Sequence, residues 1–165
     1  MKKKVLPVIV AILLILVIGG CALGKVLLDK YSYSKEEADW NEFYQVSEND
    51  RSAIILQNEM VEEQALIKDG VCYFDLATVH KYMNEVFYAD MTENLLLYAT
   101  PTEVIRTTFG ETAYTTTEGT QEAGYVISFA DGDNVYVAAD YVKLFTNYSY
   151  ECYDRHVQVN TEWGT

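Results

Sequence analysis

The sequence predicts an α+β fold: an N-terminal transmembrane helix and a linker helix, then a duplicated β-β-α-β-β domain with short helices on a mainly antiparallel sheet. Three observations lead there. Twenty uncharged residues, Val5 to Gly24, follow a basic start. Beyond residue 50 the apolar residues fall into short runs separated by turn signals such as Asp69-Gly70. The order of those runs recurs about 62 residues further on.

Charge divides the chain in the same way. Residues 1–30 carry five lysines against one aspartate, whereas the remaining 135 carry 7 basic and 24 acidic residues. A net charge of −13 argues against nucleic acid as a partner, because phosphate binding needs a basic face. Half the residues are hydrophobic and 22% are charged, a balance that supports a packed core.

Met1–Lys4 is the basic start, expected to stay cytoplasmic by the positive-inside rule. The run 5–24 is just long enough, at about 1.5 Å per residue, to cross a hydrocarbon layer of roughly 30 Å. It reads as a signal anchor, with the rest of the chain extracytoplasmic. A second fate stays open. Ile18-Gly19-Gly20-Cys21 looks like a bacterial lipobox, which makes Cys21 a candidate for lipidation. The apolar core continues past Cys21 and is longer than that of a cleaved secretory signal, which favours the anchor.

Residues 25–50 read as a helical stalk. Ser34 and Glu37 form a capping-box pattern, and Ala38, Trp40, Phe43 and Tyr44 give a partial apolar face before VSEND ends the helix. That aromatic face is expected to pack on the domain edge rather than at a lipid interface. The domain, 51–165, has halves at about 51–100 and 123–162. In the first half, strands at 52–57, 64–67 and 71–74 surround the Asp-Gly turn, Asp75 caps a helix, and strands follow at 87–89 and 95–98. In the second, strands at 125–129 and 135–137, a helix at 138–145, and strands at 148–150 and 157–159 repeat that order. Between them lies a spacer with a strand at 102–108 and a Thr-rich turn region. Alternate residues of 71–74 and 135–137 are expected to face the core.

The second half of this pattern, AGYVISFADGDNVYVAADYVKLFTNYSYE, follows a first half that reads VEEQALIKDGVCYFDLATVHKYMNEVFYADMTENLLLYATPTEVI. Together with the leading YSYSK and the ending VQVNTEWGT, it resembles the copper amine oxidase N-terminal-like stalk domain. The match is closer to that domain in the membrane-anchored N-terminal region of clostridial glycoside hydrolase family 18 proteins. The resemblance implies a non-catalytic module that would precede a catalytic barrel. The Asp-x-x-Asp-x-Asp-x-Glu run of that barrel does not occur here, so no hydrolase activity, catalytic residue or cofactor is expected of the chain.

The remaining chemistry is sparse. Asp131-x-Asp133-Asn134 resembles the start of a calcium loop but lacks the glycine and distal glutamate, and reads as a solvated turn. His80 and His156 come without the partners of a zinc site and read as surface residues. Cys72 and Cys152, one per half, are candidates for a disulfide clipping the halves together, with two buried free thiols as the other reading. Tyr148, Tyr150 and Tyr153, with Trp163 beyond, are the candidates for stacking on a sugar ring, although tyrosines also fill small sheet cores. Two roles follow: a membrane-held positioning module, or a module binding cell-wall glycan or a protein partner.

Overall fold

A computed structural model describes residues 16–17, 19–21, 23–28, 30–31, 39–46 and 48–161. It divides the chain into two compact units, Met1–Ala38 and Asp39–Thr165.

In the first unit every described residue is helical. Along this helix Leu16, Val17, Leu23, Val26, Leu27 and Leu28 are each more than half exposed. Most of the expected span 5–24, and all of Met1–Lys4, lie outside the described residues. Among the described residues no helix is long and apolar enough to cross a membrane.

The second unit is α+β and mostly sheet. It opens with helix α1, Trp40–Tyr44. Asp39 caps it by accepting from the Asn41 and Glu42 amides at 2.9 and 3.4 Å. Gln45 closes it in the left-handed conformation. The expected capping pair Ser34 and Glu37 lies outside the described residues, and the helix belongs to the domain rather than to a separate stalk.

Strands β1 (Arg51–Leu56), β2 (Glu59–Lys68) and β3 (Val71–Asp75) follow, then helix α2 (Leu76–Tyr82). Asp69 and Gly70 join β2 to β3 with φ of 52° and 80°, the two left-handed residues that a two-residue hairpin turn requires. Asp75 caps α2 by accepting from the Ala77 amide at 3.3 Å. Next come β4 (Phe87–Asp90), β5 (Leu95–Ala99) and β6 (Val104–Thr108), then β7 (Ala113–Thr116) and β8 (Gly119–Glu122). The chain closes with β9 (Ser128–Asp131), β10 (Asn134–Ala138), helix α3 (Ala139–Lys143), β11 (Tyr148–Cys152) and β12 (His156–Thr161).

The expected order β-β-α-β-β is present twice, from β2 to β5 and from β9 to β12. The strands form two sheets. One has seven strands in the order β11-β12-β1-β2-β3-β10-β9, antiparallel throughout except for the parallel pair β1 and β12. The other is a five-stranded meander, β4 to β8. The first hairpins of the two repeats meet symmetrically. Phe74 pairs with Val137, its own counterpart at the repeat offset, and Tyr73 and Asp75 pair with Ala138 and Tyr136. The last hairpins part company: β4–β5 joins the meander, whereas β11–β12 extends the larger sheet beside β1.

Three expectations need correction. The Thr-rich spacer is not a turn region but the hairpin β7–β8, because β-branched threonines suit a strand and Thr117-Glu118 form the turn, with Gly119 (φ 129°) opening the return strand. The strand expected at 125–129 is displaced to β9. Alternation fails in β3 and β10, where Cys72, Tyr73 and Phe74, and Val135 to Ala138, are all buried. These two strands sit inside the larger sheet, where both faces are covered.

The larger sheet curls. From β11 to β3 a flat sheet would span about 19 Å. Yet the rings of Tyr150 on β11 and Phe74 on β3 lie 6.4 Å apart. The side chains on the concave face include Ile54, Phe74, Val137, Val157 and Val159, all at most 1% exposed. Burying each is worth about 1.5–3 kcal/mol. The meander packs its Phe87 and Tyr98 against Tyr141 on α3 and Phe145 just beyond it, with ring centroids 4.5–6.2 Å apart.

Candidate functional site

Of the residues expected to stack on a sugar ring, Tyr148 and Tyr150 turn inward. Tyr148 is 4% exposed and its hydroxyl donates to the Ala139 carbonyl. Tyr150 is half-buried against Phe74 and beside Tyr148. Both point into the concave face because they are two residues apart on one strand. Burial raises both phenols well above their ordinary range, and a hydrogen bond to Asp140 adds to the rise at Tyr150. The Tyr148 ring is closed to a ligand, and that of Tyr150 is partly covered. Trp163 lies outside the described residues.

Tyr153 differs, since it falls in the turn after β11 and is 50% exposed. It belongs to an aromatic groove of about 250 Å³ lined by Trp40, Tyr44, Tyr153, Asp154, Arg155 and His156. The groove is built from two distant stretches of sequence. Helix α1 supplies Trp40 and Tyr44, and is held down by buried Val46 and by the Gln64 side-chain amide, which donates to the Gln45 carbonyl at 3.1 Å. The β11–β12 turn supplies the rest and is fixed by the Tyr153 amide donating to the His156 carbonyl at 2.8 Å.

The rings form a continuous stack. His156 lies between Tyr44 and Tyr153, with centroids 4.8 and 4.6 Å away and planes 26° and 13° off parallel. Trp40 stacks on Tyr44 at 6.1 Å. The Tyr153 hydroxyl donates to Glu151 at 2.6 Å, and that bond raises its phenol. Arg155 reaches Asn49 at 3.4 Å. His156 is therefore a half-buried member of the stack, not a free surface residue. The expectation that the α1 aromatics pack on the domain edge holds for Tyr44, while Trp40 and Phe43 stay more than half exposed. A groove of flat apolar faces beside one carboxylate and one guanidinium can hold a ring that is apolar on its faces and polar at its rim.

Elsewhere His80 and Glu63 have structural partners. His80 bonds the Phe87 carbonyl through Nε2 at 2.6 Å. Glu63 accepts from Lys81 at 2.7 Å and from Tyr82 at 2.9 Å, and the lysine contact holds its carboxyl below the usual range. Asp131 and Asp133 sit at an exposed turn, and no cluster of three or more metal-ligating side chains occurs among the described residues. Cys21 is exposed on the N-terminal helix. Cys72 and Cys152 are unbridged, yet their thiols are in hydrogen-bond contact. That contact and burial push the Cys72 thiol up, while the same contact lowers Cys152.

Set against protein-family models, curated proteins and solved structures, the chain matches none.

The sequence named Tyr153 but missed its groove partners. The available signal was Trp40, Phe43 and Tyr44 on one short helix. The signal gave no indication that the turn containing Tyr153 and His156, over one hundred residues later, would meet them.

Proposed function

We propose that the chain is a membrane-anchored extracytoplasmic positioning module without hydrolase activity of its own. The observation that carries this reading is the N-terminal helix, whose described apolar side chains Leu16, Val17, Leu23, Val26, Leu27 and Leu28 are each more than half exposed. An apolar surface of that kind needs a cover, and lipid supplies one. The charge step supports the orientation: basic residues lead the span, and the domain beyond is strongly acidic. The resemblance to the stalk domain of family 18 glycoside hydrolases fits a body that holds a partner at a set distance from the membrane. Carbonate extraction of membranes and protease protection test this. The chain should stay in the pellet with its domain degraded from outside, and deletion of 5–24 should release it. Recovery of the intact chain in the soluble cytosolic fraction would sink the reading.

The aromatic groove favours a second reading, a module that binds a neutral saccharide of the cell wall. Acidity disfavours anionic wall polymers. Retention on purified peptidoglycan that falls at least tenfold in both Trp40→Ala and Tyr153→Ala supports it. Both residues are about half exposed, so the fold should tolerate the change. Equal retention of all three proteins discards it.

A further inference from the structure

We propose that Cys72 and Cys152 form a reversible intrachain disulfide that locks the curled seven-stranded sheet shut. The geometry follows from strand register. Phe74 and Cys72 lie two apart on β3 and share the concave face, as Tyr150 and Cys152 do on β11. Phe74 meets Tyr150 at 6.4 Å. One step along each strand, two residues back from Phe74 and two on from Tyr150, brings Cys72 and Cys152 over one another. On the far side of the same overlap, the Tyr148 hydroxyl bonds the Ala139 carbonyl, next to Ala138, which pairs with Tyr73 on β3. The register that seats Tyr148 and Tyr150 thus seats the two cysteines as well.

The two sulfurs have different surroundings. Cys72 is 4% exposed, and Cys152 is open to solvent on the edge strand. The accessible thiol also has the lowered proton affinity, which suits it to attack first. The exchange needs a disulfide oxidant, R–S–S–R. Cys152 Sγ, as thiolate, attacks one sulfur of the oxidant and RS⁻ leaves. The Cys72 thiol then loses its proton, and its Sγ attacks Cys152 Sγ and expels the second RS⁻. The pair loses two electrons and two protons, and the oxidant becomes two RSH. Formation in the cell rests on the extracytoplasmic placement proposed above, because a reducing cytosol would keep the thiols free. The chemistry itself rests only on the fold.

The test uses the full chain carrying Cys21→Ser, purified in detergent and titrated with oxidised glutathione. Two titratable thiols should fall to none, a single cross-linked peptide should contain Cys72 and Cys152, and dithiothreitol should restore both thiols. The melting temperature should drop on reduction, and Cys152→Ser should abolish that drop. Persistence of both free thiols, or accumulation of glutathione on Cys152 with Cys72 still free, overturns the proposal. A chain that bridges in vitro but is recovered fully reduced from freshly quenched cells counts against the extracytoplasmic placement and leaves the disulfide chemistry standing.

Discussion

The two β-β-α-β-β repeats begin alike and end differently. Hairpins β2–β3 and β9–β10 meet about the Phe74–Val137 pair, so each contributes the same positions to the same interface. The closing hairpins have similar lengths but different neighbours. β4–β5 buries Phe87 and Leu96 and continues into a meander. β11–β12 instead buries Tyr148, Val157 and Val159 inside the curl. Local pattern therefore made the hairpins, and the surface left open to each decided its sheet. The first closing hairpin is followed at once by β6, an antiparallel neighbour that captures it. The second is the last hairpin among the described residues and finds the free edge of β1.

The largest effect expected is at the shared centre. Phe74→Ala should cost about 3–5 kcal/mol in chemical denaturation, since it empties a site with no solvent access beneath both repeats. Val137→Ala, its symmetric partner, removes fewer atoms and should cost less. A Phe74→Ala loss below about 1 kcal/mol would mean that the curled face is not the main core. Next in size is Tyr148→Phe, which acts on the second repeat alone. It removes one of two donors to the buried Ala139 carbonyl, which keeps its helical bond, at a cost of about 0.5–1.5 kcal/mol. Burial also raises the Tyr148 phenol above its unfolded value. Its contribution is therefore complete below the unfolded value of 10.0 and is lost as pH rises above it. Wild type and variant should converge in stability as alkali is added. A constant gap across that range would place the Tyr148 ring outside the core.

The elements themselves were legible because their signals are local. Asp69-Gly70 and the Asp75 cap each involve neighbours a few residues apart, and both behave as the sequence implies. Partner choice was not legible, because it depends on contacts such as Arg51 with Tyr136, 85 residues away. Continuous burial of β3 and β10 follows from their central place, which alternation alone cannot reveal. The same limit hid the site. Tyr148, Tyr150 and Tyr153 look equivalent in sequence, yet strand phase sends the first two inward and the turn leaves the third exposed.

The smallest effect separates the two helices. In the first repeat α2 is tied down by charge: Lys81 and Tyr82 both donate to Glu63 on β2. At the repeat offset those two positions become Leu144 and Phe145, and Phe145 packs against Tyr98 of the meander, rings 4.5 Å apart. One helix is therefore held by a titratable contact and the other by an apolar one. The Lys81 contact depresses the Glu63 carboxyl below its ordinary value of 4.5. A depressed carboxyl stabilises the fold above that value, and the gain disappears as pH falls through the folded one. Glu63→Gln should thus lower the melting temperature slightly at neutral pH, and the difference should shrink as pH falls below 4.5. Raised salt should shrink it as well, because the Lys81 ammonium faces solvent. Phe145→Leu should instead lower the melting temperature by an amount that changes little with acid or salt. If the Glu63→Gln deficit persists unchanged in acid, α2 is held by packing, and the two helices are anchored by the same means.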